Sequence, residues 1–347
     1  MVQRVAVIGA GSWGTTVAAI SSLRARTVLW ARSKKLADEI DLEHRNGDYL
    51  ANHRLPEALH ATASLDEALD GSELVLMAVP SHGFRRVLTE ARPAITAGTP
   101  IISLAKGVEQ GSLKRMTEVI SEVAPGCPAG VVTGPNFAQE ISAGLPAATV
   151  VALKEESVAA EVQELLCTEF LRVYTNPDVV GCEVAGAIKN VIAIAAGMAD
   201  GMHLGDNARA ALITRGLHEM ARLGVVLGGQ PLTFSGLTGL GDLVATCVSG
   251  HSRNRYVGEE LGKGRDIDEI VPEMIMVAEG VNSSPAVLEL AGRVGVEMPI
   301  AEQVVAVLHH GRSAAEAVSS LMRREAKPEL EGLTSQDGSS GPVSSER

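Results

Sequence analysis

A glycine-rich segment near the amino terminus constrains the fold of this chain more than any other feature. An apolar run at residues 2–8 leads directly into GAGSWG at residues 9–14, and a helical pattern follows. In this strand–turn–helix context Gly9 permits a tight turn, Gly11 lets the backbone approach a pyrophosphate, and Gly14 allows close packing of helix on strand. The start of the helix adds unpaired N–H groups and a favourable dipole for an anion. The segment therefore predicts a dinucleotide-binding site of Rossmann type.

Beyond this segment, the first half of the chain alternates short β-rich runs with helical patterns such as residues 33–45 and 84–91. This alternation is typical of a parallel, doubly wound sheet. After residue 178 the strand-like runs stop and helical patterns remain. Strands are predicted at residues 2–8, 27–31, 74–79, 101–104, 131–133, 149–153 and 171–175. Helices of the second half are predicted at residues 181–199, 207–227, 254–261, 285–294 and 300–308.

The predicted fold class is α/β, with an N-terminal Rossmann-type doubly wound sheet followed by an all-α C-terminal domain. A chain of 347 residues exceeds the usual size of one compact unit, so two domains are expected. We expect an NAD(P)-binding domain at residues 1–180 and a substrate domain at residues 181–327. Residues 328–347 are rich in Ser, Gly and Glu and contain few apolar side chains, which predicts a disordered tail.

Charge and composition exclude several classes of function. The formal net charge of −12 argues against binding to nucleic acid or to a membrane surface. The most apolar stretch, residues 184–199, is interrupted by Lys189 and Asn190, so no membrane span is predicted. The four cysteines are far apart and lack metal-ligand spacing, which predicts free thiols in a reducing compartment and no metal site. We expect a cytoplasmic protein with a small-molecule substrate; a homodimer is compatible with this interpretation.

The end of the second predicted strand bears on the choice of cofactor. An NAD site usually places Asp or Glu there, where the carboxylate accepts a hydrogen bond from the ribose 2′-hydroxyl. This chain instead has WARSKK at residues 30–35, with no acidic residue before Asp38. The guanidinium of Arg32 is suited to a 2′-phosphate, whereas the alternative is a solvated residue at the start of a helix. The sequence favours NADP and leaves NAD open.

Two lysines are candidates for chemistry. Lys106 follows a predicted strand, and the carboxyl ends of parallel strands border the crevice in which ligands bind; a lysine in a surface loop is the competing interpretation. Lys189 lies in a helix that is apolar nearly all round and should be buried. Burial lowers the pKa of a lysine towards the range in which it exchanges protons near neutral pH. A lysine held by a purely structural carboxylate is the alternative, but buried lysines are rare.

Two further segments contain candidate partners, one for the buried lysine and one for an oxyanion of the substrate. Asp242, in GLGDLVATC at residues 239–247, is an isolated carboxylate among apolar neighbours, as the partner of a buried lysine would be. Shortly after it, SRNR at residues 252–255 offers several donors to one oxyanion, and arginine can bind such a group with two parallel hydrogen bonds. The alternative for Arg253 and Arg255 is a basic helix start at the surface.

These segments together resemble the prokaryotic-type NAD(P)-dependent glycerol-3-phosphate dehydrogenase family over about residues 4–325. The combination is highly specific, although no single segment is. The matching segments are GAGSWGT (9–15), VPSH (79–82), AKG (105–107), GPNFAQE (134–140), AGLP (143–146), IKNVIAIAAGMADG (188–201), NARAALITRGL (207–217), GLGDL (239–243), SRNR (252–255), AEG (278–280) and EMPI (297–300).

The resemblance implies a 6-phosphogluconate-dehydrogenase-like fold and interconversion of dihydroxyacetone phosphate and sn-glycerol 3-phosphate, which supplies glycerophospholipid synthesis. Lys189 would protonate the ketone oxygen and act as the base in the reverse direction, and Asp242 would hold this lysine and balance its charge. The substrate contacts implied are Lys106, Gly134, Asn136, Lys189, Asn190, Asp242, Ser252, Arg253 and Asn254. The cofactor contacts implied, with the glycines of the turn, are Ser12, Trp13, Arg32, Tyr49, Lys106, Ala138, Arg253, Val277 and Glu279.

The chain departs from the family pattern at two places. Many relatives carry Ser or Thr where this chain has Asn136, which leaves the role of that side chain open. The link at residues 23–27 lacks the usual Gly-His-type turn and looks shorter. Two alternatives also stay open on the residues alone: a short β-hydroxyacid or phosphogluconate-type dehydrogenase of the same architecture, and an NAD(P)-binding regulator without catalysis.

Overall fold

The computed structural model describes residues 2–274, 276, 278–326 and 328–329. Eight strands in this part of the chain form one sheet in the order β3-β2-β1-β4-β5-β6-β7-β8. The predicted position Val277 and the predicted tail, apart from residues 328 and 329, lie outside the described residues. The strands are β1 (Arg4–Ile8), β2 (Arg26–Trp30), β3 (Leu59–Thr62), β4 (Leu74–Met77), β5 (Ile101–Ser103), β6 (Ala129–Thr133), β7 (Ala147–Ala152) and β8 (Leu171–Asn176).

Strands β1 to β6 run parallel to one another, whereas β7 is antiparallel to β6 and parallel to β8. Central strands such as β4 are buried at every residue, because helices cover both faces of the sheet. The strand order changes direction between β1 and β4, and ligands bind at such a switch point in open α/β sheets. The glycine-rich turn follows β1 and therefore lies at this point.

Sixteen α-helices lie in the described residues. The first seven, all before β8, are α1 (Ser12–Ser21), α2 (Lys34–Glu43), α3 (Leu65–Leu69), α4 (Ser81–Ala91), α5 (Met116–Val123), α6 (Ala138–Ser142) and α7 (Glu156–Leu166). The other nine follow β8 and are α8 (Val179–Gly201), α9 (Asp206–Val226), α10 (Pro231–Ser235), α11 (Asp242–Val248), α12 (Arg253–Gly262), α13 (Ile267–Ile270), α14 (Glu279–Arg293), α15 (Pro299–His309) and α16 (Ala314–Met322).

Helix α8 is the centre of the helical half. It is long and apolar enough to cross a bilayer, but 94% of its most apolar 18-residue window is buried inside the protein. Helix α12 packs against it with almost no space between the backbones. A Cβ atom at Gly197 would lie 2.1 Å from the carbonyl oxygen of Arg255, and one at Gly258 would lie 2.0 Å from that of Ile194. This close approach holds α12 against the second half of α8, and Asn254 at the start of α12 hydrogen-bonds Asn190, the neighbour of Lys189.

The α/β class and the change from sheet to helices after residue 178 are confirmed, and two local predictions were incomplete. Strand β3 was missed because this short edge strand, LHAT, has only Leu59 fully buried and so lacks an apolar run. Helix α14 was predicted to begin at Pro285 but begins at Glu279. Proline in a helix leaves the carbonyl four residues earlier without its N–H donor. Here Ser284 Oγ donates to that carbonyl, on Val281, at 3.3 Å, and His309 Nε2 lies 3.2 Å from it.

Candidate active site

The backbone of the glycine turn after β1 is tightly folded and open to a ligand. Gly9 has a φ of +120°, which a residue with a side chain rarely adopts. A Cβ atom at Gly14 would lie 2.0 Å from the carbonyl oxygen of Gly9, so only glycine permits this contact between helix and turn. Apart from Gly11 and its two chain neighbours, no heavy atom lies within 4 Å of the position a Cβ would take at Gly11, and no side chain caps the first turn of α1. The turn therefore offers an open backbone surface and free helix N–H groups to a pyrophosphate.

The side chains around this turn fit a dinucleotide. Ser12 Oγ donates to Met276 Sδ at 3.2 Å, which brings the helical half of the chain against the turn. The indole N–H of Trp13 has no hydrogen-bond partner among the described residues. Arg32 is exposed just after β2, and no hydrogen bond or ion pair within the described residues involves its side chain. Two segments flank α1. Tyr49 lies on the first, where its backbone N–H donates to Asn46, which in turn donates to Thr15 of α1. Ala138 lies on the second, and its backbone oxygen accepts a hydrogen bond from Thr16 of α1.

Three side chains from distant parts of the sequence form the buried centre of the site. Asp242 accepts hydrogen bonds from two lysines: Lys189 Nζ lies 2.6 Å from Oδ1 and Lys106 Nζ lies 2.7 Å from Oδ2. Lys106 also donates to the carbonyl oxygen of Gly134 at 2.7 Å. The side chains of Lys189 and Asp242 are 7% and 2% exposed, so the pair is shielded from water, while that of Lys106 is 16% exposed.

Thr246 completes this centre, and sequence reasoning missed it. Lys189 Nζ donates to Thr246 Oγ1 at 2.6 Å, and that hydroxyl donates in turn to the backbone oxygen of Asp242 at 2.6 Å. The signal was present in the spacing, because residues four apart on a helix lie on the same face. A π-helical turn, Leu237–Gly241, comes directly before Asp242, and such turns are frequent at functional sites.

Burial lowers the pKa of Lys189 to about 8. Removal of the ammonium from water is the largest cause, and the positive charge of Lys106 acts in the same direction, while Asp242 opposes both. A lysine with this pKa is partly protonated and partly neutral near physiological pH. It can therefore donate a proton to a developing alkoxide and can remove one from an alcohol.

A second buried carboxylate anchors α8 to the sheet domain. Glu183 accepts hydrogen bonds from Arg115 Nη1 at 2.7 Å and from Thr117 Oγ1 at 2.5 Å, and the backbone N–H of Thr117 donates at 2.9 Å. Burial raises the pKa of Glu183, while Arg115 opposes this shift. Glu183 lies six residues before Lys189 on one rigid helix, so this contact fixes the position of the lysine relative to the sheet.

The predicted residues Asn190 and Asn254 form a bridge between helices. Asn254 Nδ2 donates to Asn190 Oδ1 at 2.9 Å, and Asn254 Oδ1 accepts from the backbone N–H of Gly280 at 2.9 Å. Ser252 accepts from the N–H of Arg255 at 3.2 Å and caps α12. By contrast, both amide atoms of Asn136 are buried without a hydrogen-bond partner among the described residues.

Arg253 and Glu279 begin α12 and α14 beside this bridge. Arg253 is exposed, yet neighbouring protein atoms desolvate its guanidinium and lower its pKa, while Glu279 acts in the opposite direction. Burial raises the pKa of Glu279, and His82, Ser81 and Arg253 oppose the shift. Ser81 Oγ donates to Glu279 Oε2 at 3.3 Å, so the helical half also contacts the start of α4 here.

The structure thus brings Lys106, Lys189 and Asp242 into direct contact and places Arg253 near Glu279. Within the described residues, no cluster of three or more His, Cys, Asp and Glu side chains is arranged to hold a metal ion, and all four cysteines are free. A Rossmann-type sheet with an open glycine turn, together with a buried lysine of lowered pKa in a helical second half, defines an NAD(P)-dependent dehydrogenase.

Comparison with known proteins identifies the family. Residues 4–159 match the family described as NAD-dependent glycerol-3-phosphate dehydrogenase N-terminus, and residues 178–319 match the corresponding C-terminus. The chain belongs to the NAD-dependent glycerol-3-phosphate dehydrogenase family.

Individual relatives cover nearly the whole chain. A glycerol-3-phosphate dehydrogenase (NAD(P)+) 2 of Sphingopyxis alaskensis is 53% identical, covering 92% of this chain and 96% of the relative. The Mycobacterium avium enzyme is 48% identical over 95% and 97%. The crystal structure of glycerol-3-phosphate dehydrogenase from Coxiella burnetii has a TM-score of 0.90 at 40% identity, covering 93% of this chain and 99% of that one. A ketopantoate reductase from Ralstonia eutropha, at a TM-score of 0.58 and 14% identity, shares the fold alone.

Proposed function

We propose that Lys189, held by Asp242, is the proton donor in the interconversion of dihydroxyacetone phosphate and sn-glycerol 3-phosphate with NAD(P)H. The observation that carries this proposal is the buried contact of 2.6 Å between Lys189 Nζ and Asp242 Oδ1, which lies outside the glycine-rich domain. A regulator that only sensed NAD(P) would have no need of a buried lysine with a pKa near 8.

The charges of the buried centre explain how the lysine can give up a proton. The two lysines and Asp242 carry one net positive charge when both lysines are protonated. Bound NAD(P)H supplies the hydride that reduces C2 of the substrate. As Lys189 donates its proton to the ketone oxygen, Asp242 keeps Lys106 as its ionic partner, so the step leaves no unpaired buried carboxylate. Lys106 and Thr246 thereby hold Asp242 and Lys189 in one geometry before and after the transfer.

The phosphate of the substrate is assigned to the start of α12. Helix α12 has ten residues, and its first turn presents backbone N–H groups and the positive end of the helix dipole. Arg253, at its first position, adds a guanidinium that can bind two phosphate oxygens. Because α12 packs directly on α8, binding of the phosphate here orients the rest of the substrate towards Lys189.

We assign residues 1–180 to cofactor binding and residues 181–327 to the substrate domain. The acidic net charge of −12 and the burial of α8 support an enzyme that binds neither nucleic acid nor membranes, and the four free cysteines favour a reducing, cytoplasmic compartment. Its role would be to supply glycerol 3-phosphate for glycerophospholipid synthesis. A homodimer is compatible with this role.

The proposed activity is tested with dihydroxyacetone phosphate as the only acceptor. We expect the chain to oxidise NADPH and NADH, followed by absorbance, with one sn-glycerol 3-phosphate formed per cofactor oxidised. Reactions without acceptor, and reactions with a β-hydroxyacid or 6-phosphogluconate in the oxidative direction, are the controls. Turnover restricted to those other substrates would refute the proposal.

Arg32→Asp is expected to shift cofactor preference towards NADH. The substitution removes a cation suited to the 2′-phosphate and adds an acceptor for the 2′-hydroxyl. A charge-assisted contact is worth roughly 1.5–3 kcal/mol, so the ratio of kcat/KM for the two cofactors should move by about tenfold or more. Lys35→Asp makes the same change of charge three residues later and should leave the ratio in place. An unchanged ratio in Arg32→Asp would show that Arg32 is a solvated residue only.

A further inference from the structure

The side chain of Asn46 is completely buried in the segment between α2 and β3 and contacts the glycine turn. Asn46 Nδ2 donates to the carbonyl oxygen of Ala10 at 3.0 Å and to Thr15 Oγ1 at 2.7 Å. Asn46 Oδ1 accepts from the backbone N–H of Tyr49 at 3.1 Å. Both ends of one amide therefore connect the turn, the start of α1 and the segment that carries Tyr49.

The contact with Ala10 determines which way the next N–H points. A trans peptide unit is planar, and its C=O and N–H point in opposite directions. The carbonyl of Ala10 points at Asn46, in the protein interior, so the N–H of Gly11 points away from Asn46. Apart from Gly11 and its chain neighbours, no heavy atom lies within 4 Å of the position a Cβ would take there, and this is the open surface assigned above to the pyrophosphate.

A contact is needed to fix this orientation of the peptide between Ala10 and Gly11, because the turn can adopt other peptide orientations. Rotation of the peptide between Ala10 and Gly11 changes ψ of Ala10 and φ of Gly11, and glycine adopts positive and negative φ with similar ease. Here Gly11 has a φ of −70° and serves as the N-cap of α1. Within the described residues, the Asn46 amide is the side-chain group that hydrogen-bonds the Ala10 carbonyl.

We propose that Asn46 is a positioning residue for the cofactor: it orients the Gly11 N–H towards the pyrophosphate and ties the Tyr49 segment to the same turn. The inference rests on the proposed dinucleotide site and adds a residue that lies outside the glycine motif, more than thirty positions along the chain from Ala10. Its effect is confined to the part of the cofactor that contains the pyrophosphate.

Asn46→Asp tests the proposal with little change of shape. The carboxylate keeps an acceptor for the Tyr49 N–H but places an oxygen opposite the Ala10 carbonyl oxygen, which repels it. We expect the Kd for ADP-ribose, which contains the pyrophosphate, to rise by about tenfold or more, as loss of a buried hydrogen bond and the resulting repulsion imply. The Kd for adenosine 2′-phosphate, which lacks the pyrophosphate, should stay near that of the parent chain. In turnover, KM for NAD(P)H should rise while kcat at saturating cofactor changes little.

Two further variants keep the test decisive. Asn46→Ala removes the amide donor without adding charge and should show the same selective loss if Asn46→Asp does not fold. Thr15→Val removes the other acceptor of Asn46 Nδ2 and leaves the Ala10 contact, so its affinity for ADP-ribose should be retained. Equal losses on both ligands, or no loss on ADP-ribose, would overturn the inference. Failure of the parent chain itself to bind ADP-ribose would instead overturn the proposed dinucleotide site.

Discussion

Lys189→Ala is expected to lower turnover with dihydroxyacetone phosphate by about two to four orders of magnitude, the range that general acid catalysis commonly supplies. Cofactor affinity should be nearly unchanged, because Lys189 lies on α8 and not in the glycine-rich domain. The fold should persist, since Asp242 keeps Lys106 as its ionic partner at 2.7 Å. Single-turnover hydride transfer and NADPH binding are the two measurements.

The controls for this variant distinguish loss of the proton donor from general damage to the fold. Lys189→Met fills most of the vacated volume and should be as inactive as the alanine variant. Lys263→Ala removes a surface lysine that pairs with Glu259 and Glu260 and should have the activity of the parent chain. Near-normal turnover in Lys189→Ala would remove the lysine from the mechanism.

The pH dependence of the parent chain follows from the same residue. Reduction of the ketone needs the protonated amine, so its rate should fall as pH rises through about 8, the lowered pKa of Lys189. Oxidation of glycerol 3-phosphate needs the neutral amine and should rise over the same interval. In Lys189→Ala both transitions should be absent from the residual activity.

Arg253→Ala is expected to lose most of kcat/KM for dihydroxyacetone phosphate, whereas activity on unphosphorylated dihydroxyacetone, which we expect to be low already, should change little. A charge-assisted contact of this kind is worth roughly 1.5–3 kcal/mol before any loss of orientation is counted. Arg253→Lys should recover only part of the loss, because an ammonium cannot reproduce the planar grip with two donors. Steady-state kinetics on both substrates isolate the contribution of the phosphate.

The matched control lies two residues further along the same helix. Arg255 pairs with Asp200 at 2.8 Å and with Glu259 at 3.2 Å, so its guanidinium is already occupied. Arg255→Ala should lower the Tm without a selective loss on the phosphorylated substrate. Equal losses on both substrates in Arg253→Ala would mean that Arg253 supports the fold or the cofactor, and the phosphate site would lie elsewhere.

Local sequence patterns were sufficient to predict the features of this protein that depend on residues close together in the chain. The glycine turn follows from steric requirements at Gly9 and Gly14, and the alternation of strands and helices follows from hydrophobic spacing. The burial of Lys189 could be inferred because α8 is apolar nearly all round. Such features depend on neighbours within a few residues, and the chain order displays them directly.

Tertiary structure alone decided which groups meet. The sequence suggested Asp242 as a partner for one lysine, but the fold brings Lys106 to the same carboxylate from 136 positions away. It also gives Arg255 two carboxylate partners, Asp200 on α8 and Glu259 on α12, and the first of these contacts spans 55 positions of the chain. The physical reason is that these pairings result from the packing of α8, α11 and α12 against the sheet. Packing depends on contacts between distant segments, and no local spacing encodes them.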